Sequence, residues 1–273
     1  MEAGAVRLLE AQGHSVTVER AEREGPFRDT ASSSAAVNKQ VAAKVRSAVE
    51  AGRLPIALAG SCVTCQGVLA GFEHANCGAV WLDAHADFNT PDTAASGFFP
   101  GMSLAVATGH CYANYWEQIG DNTPLAEENV VMFGVRDLWP EGERRRLEAS
   151  RMTVVPWRDG RPGADVVGAL DQLAERVNAI YLHIDFDGFA PDVAPGIVDE
   201  PTPGGLSADD AEMIIRASGE RFRIRAATLA TYTPENDKDE KTLRLALRLI
   251  ESIGKHAGNR CGHGRSRRDT SER

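Results

Sequence analysis

The sequence has no excess of positive charge and no long apolar run. Its formal net charge is −9 at pH 7, whereas a nucleic-acid-binding protein needs a basic face for the phosphate backbone. No segment approaches the run of about 18 apolar residues that spans a membrane, and the first residues, Met-Glu-Ala-Gly-Ala-Val-Arg, lack a signal-peptide pattern. We therefore expect a cytoplasmic protein that binds neither nucleic acid nor membrane.

Cysteine is also scarce, with five in 273 residues. An odd number of cysteines in a large chain without an export signal does not predict a disulfide framework. Two of them, Cys62 and Cys65, form a Cys-Val-Thr-Cys motif, which could be a redox pair. The neighbouring residues do not resemble a thioredoxin-type turn, so redox chemistry is kept only as an alternative.

Short apolar runs alternate with helical segments along most of the chain. This alternation predicts an α/β fold with three layers, αβα, in which helices cover both faces of one mostly parallel sheet and the carboxyl ends of the strands carry the site. We predict a single domain over residues 1–258 and a polar, disordered tail at 259–273. Near the N-terminal end the pattern predicts a strand at Ser15–Glu19 and a loop at Arg20–Ser34.

Polar residues alternate with alanine directly after the apolar run Gly78–Leu82. Asp83, His85 and Asp87 stand at every second position, so an extended segment places all three side chains on one side. Carboxylates crowded at the end of a buried strand repel one another and lose solvation unless a cation lies among them, and a divalent metal explains the pattern. The simpler alternative is that Asp83 caps a turn, His85 is a hydrogen-bonded core histidine and Asp87 is solvated.

A second strand end carries the same signature further along the chain. The segment Tyr181–Gly188 is another apolar run that ends in two carboxylates on one side, Asp185 and Asp187. Two such strand ends supply four aspartates, which is enough to hold a pair of metal ions.

Four separated blocks resemble the arginase, or ureohydrolase, family of binuclear manganese hydrolases, which cleave guanidino-type carbon–nitrogen bonds. The blocks are the turn at Gly60, Asp83-Ala-His85-Ala-Asp87-Phe-Asn89-Thr-Pro91, Asp185-Phe-Asp187-Gly188 and Pro203-Gly-Gly-Leu206-Ser. The resemblance implies two Mn²⁺ ions and six ligands: Cys62, Asp83, His85, Asp87, Asp185 and Asp187. It also implies that Asp83 and Asp185 bridge the ions and that Asp87 passes a proton to the departing amine.

Cys62 is a departure from the family pattern. The family has a histidine in a Gly-Gly-Asp-His-Ser turn, and the matching turn here, Ala59–Val63, has Cys62 in its place. A thiolate can bind a borderline divalent ion but is softer than imidazole. We therefore expect the ion beside Cys62 to be held more weakly, or to be exchanged for zinc or another metal. The alternative is that Cys62 is only a small buried residue and that one metal binds.

The resemblance also implies a small amino-acid substrate. The loop from Asn89 resembles the arginase version rather than the agmatinase version, and the arginase residues that match Asn89 and Ser96 bind the α-carboxylate. The family's proton-shuttle histidine falls at Pro100, and its guanidinium-binding glutamate falls at Thr231. We therefore expect an L-arginine-like substrate whose side chain is less basic than guanidinium, such as a hydroxyguanidine. Arginine itself, and a catalytically inactive metal-binding scaffold, stay open as alternatives.

Members of the family are commonly trimers or hexamers, so the resemblance is compatible with a homo-oligomer, although no segment of this sequence is identified as an interface. The chain begins at the family's first helix, so either the strand that precedes this helix is missing or the start is misassigned.

Overall fold

The computed structural model describes residues 1–73, 76–94, 96–120, 123–158, 161–162, 165–198 and 201–257. The helices are α1 (Glu2–Ala11), α2 (Thr30–Glu50), α3 (Thr64–Ala70), α4 (Ser103–Ala107), α5 (Ala113–Ile119), α6 (Glu141–Ala149), α7 (Val166–Ala174), α8 (Ala208–Arg221) and α9 (Lys241–Ala257). The strands are β1 (Ile56–Leu58), β2 (Cys77–Leu82), β3 (Val130–Phe133), β4 (Thr153–Val155), β5 (Trp157–Arg158), β6 (Arg161–Pro162), β7 (Ala179–Asp185) and β8 (Arg223–Ala230). The predicted tail at 259–273 lies outside the described residues.

Six of these strands form one parallel sheet in the order β1-β8-β7-β2-β3-β4, and β5 and β6 form a separate antiparallel pair. In the register of the central strands, Trp81 of β2 lies beside His183 of β7, and Asp185 lies beside Ala230 of β8. Because the six strands run in the same direction, their carboxyl ends lie along one edge, where open α/β sheets bind their ligands.

Apolar side chains pack on both faces of this sheet. Along β2, Val80 and Leu82 belong to a core that includes residues of α7, α8 and α9. Ala79 and Trp81 belong to a second core, which includes residues of α2, α3 and α4. Burial on both faces explains why the strands read as continuous apolar runs. The predicted three-layer α/β fold is confirmed.

Two predictions near the N-terminal end are wrong. Residues 15–19 form no strand, since Val18 and most of its neighbours are exposed and have no apolar layer to pack against. The segment Arg20–Ser34, predicted as a loop, already contains the start of α2. There the Asp29 carboxylate accepts a hydrogen bond from the Ser32 N–H at 2.7 Å. This cap satisfies one of the unpaired N–H groups of the first turn, so the serine-rich segment joins the helix.

None of the helices in the described parts of the chain is both long enough and apolar enough to cross a membrane.

Candidate metal centre

The carboxyl ends of β2 and β7 lie side by side and bring their acidic residues together. Within each of two groups, all the donor atoms lie within 4.8 Å of one another: the first group is Cys62, Asp83, His183 and Asp185, and the second is Asp83, His85 and Asp187. Asp83 belongs to both groups. The two acidic segments, which are distant in sequence, therefore form one binuclear arrangement of donors that shares a carboxylate.

Backbone N–H groups fix these carboxylates in place. The N–H of His85 donates to Asp83 Oδ1 at 2.7 Å, and the N–H of Ala84 donates to Asp187 Oδ1 at 3.1 Å. A Cβ at Gly188 would lie 2.9 Å from the Asp83 backbone nitrogen. Only glycine therefore allows the turn after β7 to approach the end of β2 this closely.

The crowded carboxylates lack water and repel one another. Burial, together with the charge of Asp187, raises the pKa of Asp83 to about 7. Burial and neighbouring carboxylates also raise the pKa values of Asp87 and Asp185 well above their usual range. In the described structure Asp87 Oδ2 is buried and has no hydrogen-bond partner. Divalent cations among these oxygens would offset both the repulsion and the desolvation, so the residues present fit a metal pair.

The His85 imidazole faces these carboxylates. Its Nδ1 lies 3.0 Å from Asp187 Oδ2 and 3.6 Å from Asp83 Oδ1. Burial alone would lower the pKa of this imidazole, but the hydrogen bonds and charges of Asp187 and Asp83 raise it to about 12. Against the effect of its own burial, Asp187 has its pKa held below the usual value by His85. The same nitrogen can bind a divalent ion in place of its proton.

Cys62 is buried in the turn between β1 and α3 and reaches the same cluster. Its thiol donates to Asp185 Oδ2 at 2.7 Å. Burial and the nearby carboxylates raise the pKa of this thiol well above its usual range. Cys65, by contrast, points to the Ser103 carbonyl oxygen at 3.9 Å. Both cysteines are free thiols with different partners, so this geometry offers no support for the redox alternative.

Asp87 is buried at the start of the loop after β2, in a backbone conformation with a φ of 50°. Its carbonyl oxygen accepts hydrogen bonds from the N–H groups of Leu104 and Ala105. Asp87 belongs to neither of the two groups of donors, although its carboxyl group interacts electrostatically with Asp83 and Asp185. It therefore lies beside the centre as the structure stands.

Thr231 lies at the centre itself. It directly follows β8, is buried, and donates its hydroxyl to Asp185 Oδ1. Its φ of 69° is in the left-handed region, which is uncommon for a β-branched residue. The chain therefore leaves β8 at Thr231 in a conformation that does not continue the strand.

The other two predicted substrate-binding residues lie in the loop after β2. Asn89 is buried, its Nδ2 donates to the Trp139 carbonyl oxygen at 3.2 Å, and its Oδ1 accepts from Thr93 Oγ1 at 3.0 Å. Ser96 is exposed, and its Oγ accepts from the Phe98 N–H at 3.3 Å. Asn89 thus helps to fix the loop, and Ser96 faces solvent.

His183 was not predicted as a site residue, although the sequence carries a signal for it. His183 stands two positions before Asp185, so the period of a strand places both side chains on one face. Trp81 stacks on its ring at a centroid distance of 3.7 Å and donates from Nε1 to Asp83 Oδ2 at 3.0 Å. The Tyr181 hydroxyl lies 2.9 Å from His183 Nδ1. The layer beneath the carboxylates is therefore aromatic and hydrogen-bonded.

The fold and the donor set define a class of protein: a three-layer α/β metal-dependent hydrolase with its site at the carboxyl edge of a parallel sheet. The profile of the arginase family matches residues 8–254. The chain belongs to the arginase family. Members of this family are metal-dependent ureohydrolases, which hydrolyse guanidino groups at a binuclear divalent metal site. The predicted family is confirmed.

Named relatives agree with this assignment. The chain is 34% identical to the arginase of Bacillus subtilis (strain 168) over 221 residues, which are 79% of this chain and 74% of that protein. It is 33% identical to the arginase of Bacillus caldovelox over 225 residues, 80% of this chain and 74% of that protein. The native structure of the Bacillus caldovelox arginase at pH 5.6 matches with a TM-score of 0.81 at 28% identity, over 96% of this chain and 91% of that one.

Proposed function

We propose that this protein hydrolyses the guanidino carbon–nitrogen bond of N-omega-hydroxy-L-arginine and releases hydroxyurea and L-ornithine. When bound, two divalent ions supply the activation of a water and the stabilisation of charge at the reacting carbon. The ligands that we assign to them are Cys62, Asp83, His85, Asp87, Asp185 and Asp187. We assign Mn²⁺ to both positions, with zinc or another divalent ion able to replace it beside Cys62.

The observation that carries the choice of substrate is the setting of Thr231. It occupies the position at which the family has a guanidinium-binding glutamate, and its hydroxyl is donated to Asp185. The pocket therefore lacks, at this position, the carboxylate that would pair with a buried cation. N-hydroxylation withdraws electrons from a guanidine and lowers its basicity, so a hydroxyguanidine can bind there as a neutral group.

Pro100 and Asp87 support a matching assignment of the proton donor. Pro100 begins a short 3₁₀ turn and accepts a hydrogen bond from Ser103 Oγ at 2.7 Å. A proline has no titratable side chain, so it cannot replace the family's shuttle histidine. Asp87, whose buried Oδ2 has no hydrogen-bond partner in the described structure, is the residue to which we assign proton transfer to the departing amine.

Asn89 and Ser96 are the proposed contacts for the substrate's α-carboxylate. The Ser96 hydroxyl accepts from Phe98 and still has its own proton to donate. The Asn89 amide donates to the Trp139 carbonyl oxygen and also hydrogen-bonds the Glu143 carboxyl group. Ser96 can therefore donate to a carboxylate directly, whereas Asn89 must exchange one of its contacts to do so.

With Cys62, Pro100 and Thr231 at these positions, the sequence pattern is similar to that of the N-omega-hydroxy-L-arginine amidinohydrolase of D-cycloserine biosynthesis. We propose the same role in antibiotic biosynthesis for this protein. Its cytoplasmic location and a homo-oligomeric state stay predictions.

Arginine hydrolysis to urea and L-ornithine is a second candidate function. It is favoured by the two Bacillus relatives, which are arginases at 34% and 33% identity. A catalytically inactive metal-binding scaffold is the alternative from another class.

The test is a side-by-side assay of N-omega-hydroxy-L-arginine, L-arginine and agmatine with manganese-loaded protein of measured metal content. We expect the highest kcat/KM with hydroxyarginine and the lowest with agmatine. A higher value with arginine would favour the second candidate. Equal or better turnover of agmatine would contradict the roles of Asn89 and Ser96, and no turnover of any guanidine by the loaded protein would favour the scaffold.

A further inference from the structure

We propose that His183 is a metal ligand of this centre and that it binds the same ion as Cys62. The proposal rests on the proposed function only in requiring that the centre binds divalent ions. The imidazole of His183, which lies within β7, would then be a seventh ligand in addition to the six assigned above.

The distances between donor atoms fit a shared ion. His183 Nε2 lies 3.4 Å from Cys62 Sγ, and both atoms lie within 4.8 Å of oxygens of Asp83 and Asp185. Zinc-like ions bind sulfur at about 2.3 Å and imidazole nitrogen at about 2.0–2.1 Å, which in tetrahedral geometry separates the two donors by about 3.5 Å. The observed separation of 3.4 Å therefore fits two ligands on one ion.

The hydrogen bonds of the imidazole direct a lone pair into the cluster. The Tyr181 hydroxyl donates to Thr228 Oγ1 at 2.7 Å and lies 2.9 Å from His183 Nδ1. With its one proton on Thr228, the Tyr181 hydroxyl can accept from an Nδ1–H, and this tautomer leaves Nε2 unprotonated. Metal-bound histidines have this arrangement, in which the second ring nitrogen donates to an oxygen. Stacking on Trp81, with the rings 13° from parallel, holds the orientation.

The chemistry of the donor atoms also supports a shared ion for Cys62 and His183. Cys62, which follows β1, occupies the position of an imidazole ligand in the family pattern, and His183 supplies an imidazole from β7. The first group of donors then consists of one sulfur, one nitrogen and two carboxylates, whereas the second has nitrogen and oxygen donors only. Thiolate and imidazole favour zinc or cobalt over manganese. The two ions of this centre therefore differ in metal preference.

Cobalt titration of chelator-treated protein tests this assignment. A thiolate-to-cobalt charge-transfer band reports the ion beside Cys62. His183→Asn keeps an amide that can reach Tyr181 but has no atom at the Nε2 position. The matched variant Tyr181→Phe keeps Nε2 and loses the outer hydrogen bond to Nδ1 together with the bond to Thr228 Oγ1. We expect His183→Asn to lower the affinity for the cobalt ion beside Cys62 by more than about 100-fold. Tyr181→Phe should lower this affinity by roughly 10–100-fold, the range known for hydrogen-bond partners of metal ligands.

The two variants distinguish a His183 that binds the metal from a His183 that only positions other ligands. Wild-type affinity and an unchanged band in His183→Asn would overturn the proposal, and so would equal weakening in the two variants. Wild-type protein that binds no cobalt would overturn the proposed function too, whereas two bound ions with an unaffected His183→Asn variant would overturn only the assignment of His183.

A second measurement does not depend on folding of the His183 variant. In the His85→Asn variant, His183 is the one imidazole left in the two described groups of donors. X-ray absorption of this variant with one equivalent of zinc should show one sulfur at about 2.3 Å and one imidazole nitrogen at about 2.0–2.1 Å around the metal. A shell of sulfur and oxygen without imidazole would overturn the proposal.

Discussion

At Asp83, one carboxylate meets three groups of its own segment: the Trp81 indole N–H at 3.0 Å, the His85 backbone N–H at 2.7 Å and the His85 ring at 3.6 Å. It also belongs to both groups of donors. Removal of its charge therefore affects both proposed ions, whereas a change at Cys62 or His85 affects one.

The buried carboxyl groups give the metal-free protein a pH dependence of defined sign. Asp83, Asp87 and Asp185 have folded-state pKa values above 3.8, about 7 for Asp83, so the folded state keeps protons that the unfolded state has released. The free energy of unfolding therefore falls as the pH rises from 3.8 towards 7. His183 acts in the opposite sense below pH 6.5, because burial lowers its pKa to about 3, but it is one group against three.

We accordingly expect the chelator-treated protein to have a higher Tm at pH 5 than at pH 7 in thermal unfolding. Addition of Mn²⁺ at pH 7 should raise the Tm, because the ions bind the deprotonated ligands. Asp83→Asn is the control and should show a smaller difference between the two pH values. A Tm of the metal-free wild type that rises from pH 5 to pH 7 would contradict the raised pKa values.

Cys62 and Cys65 make a matched pair for a test of the thiol ligand. Both are buried, but only the Cys62 thiol contacts Asp185. We expect Cys62→Ala to lose one of two bound ions and to lower kcat by more than about 100-fold, since even outer partners change metal affinity by roughly 10–100-fold. Cys65→Ala should keep both ions. Loss of activity in Cys65→Ala with its metal content intact would favour redox chemistry instead.

At the scale of the elements, β2 and β7 could be predicted because each is a buried apolar run that ends in period-two carboxylates. Their adjacency in the sheet could not be read from either strand, because pairing is decided by contacts between distant segments. Only the family resemblance predicted that Asp185 and Asp187 lie beside Asp83 and Asp87. His183 was missed because it lies inside an apolar run, where a histidine reads as core. The early start of α2 depended on a single cap at Asp29.

The close approach of β2 and the turn after β7 predicts a large effect at Gly188. A Cβ there meets backbone atoms of Asp83 at 2.9 and 3.0 Å, so Gly188→Ala must separate the two strand ends. We expect a loss of about 1–3 kcal/mol in the free energy of unfolding, measured in urea, and weaker binding of both ions. Gly60→Ala is the control, since a Cβ there has no atom within 4 Å. Equal effects of the two changes would contradict this account of the strand ends.

At the scale of the whole molecule, two separate cores hold one sheet, and the acidic residues of the two donor groups lie together at its carboxyl edge. The fold class could be predicted from composition and alternation, because a three-layer sheet needs strands that are apolar on both faces. The choice between hydroxyarginine and arginine depends on loop contacts at Asn89, Ser96 and Thr231, which the fold does not determine.

We propose that aspartates from two strand ends hold two dications on which hydrolysis depends. A count of metal ions per chain, made while product release is followed in the same sample, tests this dependence. For chelator-treated protein titrated with Mn²⁺, we expect two bound ions per chain and hydroxyurea release from N-omega-hydroxy-L-arginine that rises with metal occupancy. Both should be lost in Asp185→Asn. Full hydrolysis without bound metal, or an Asp185→Asn variant that binds two ions as tightly as the wild type, would contradict it.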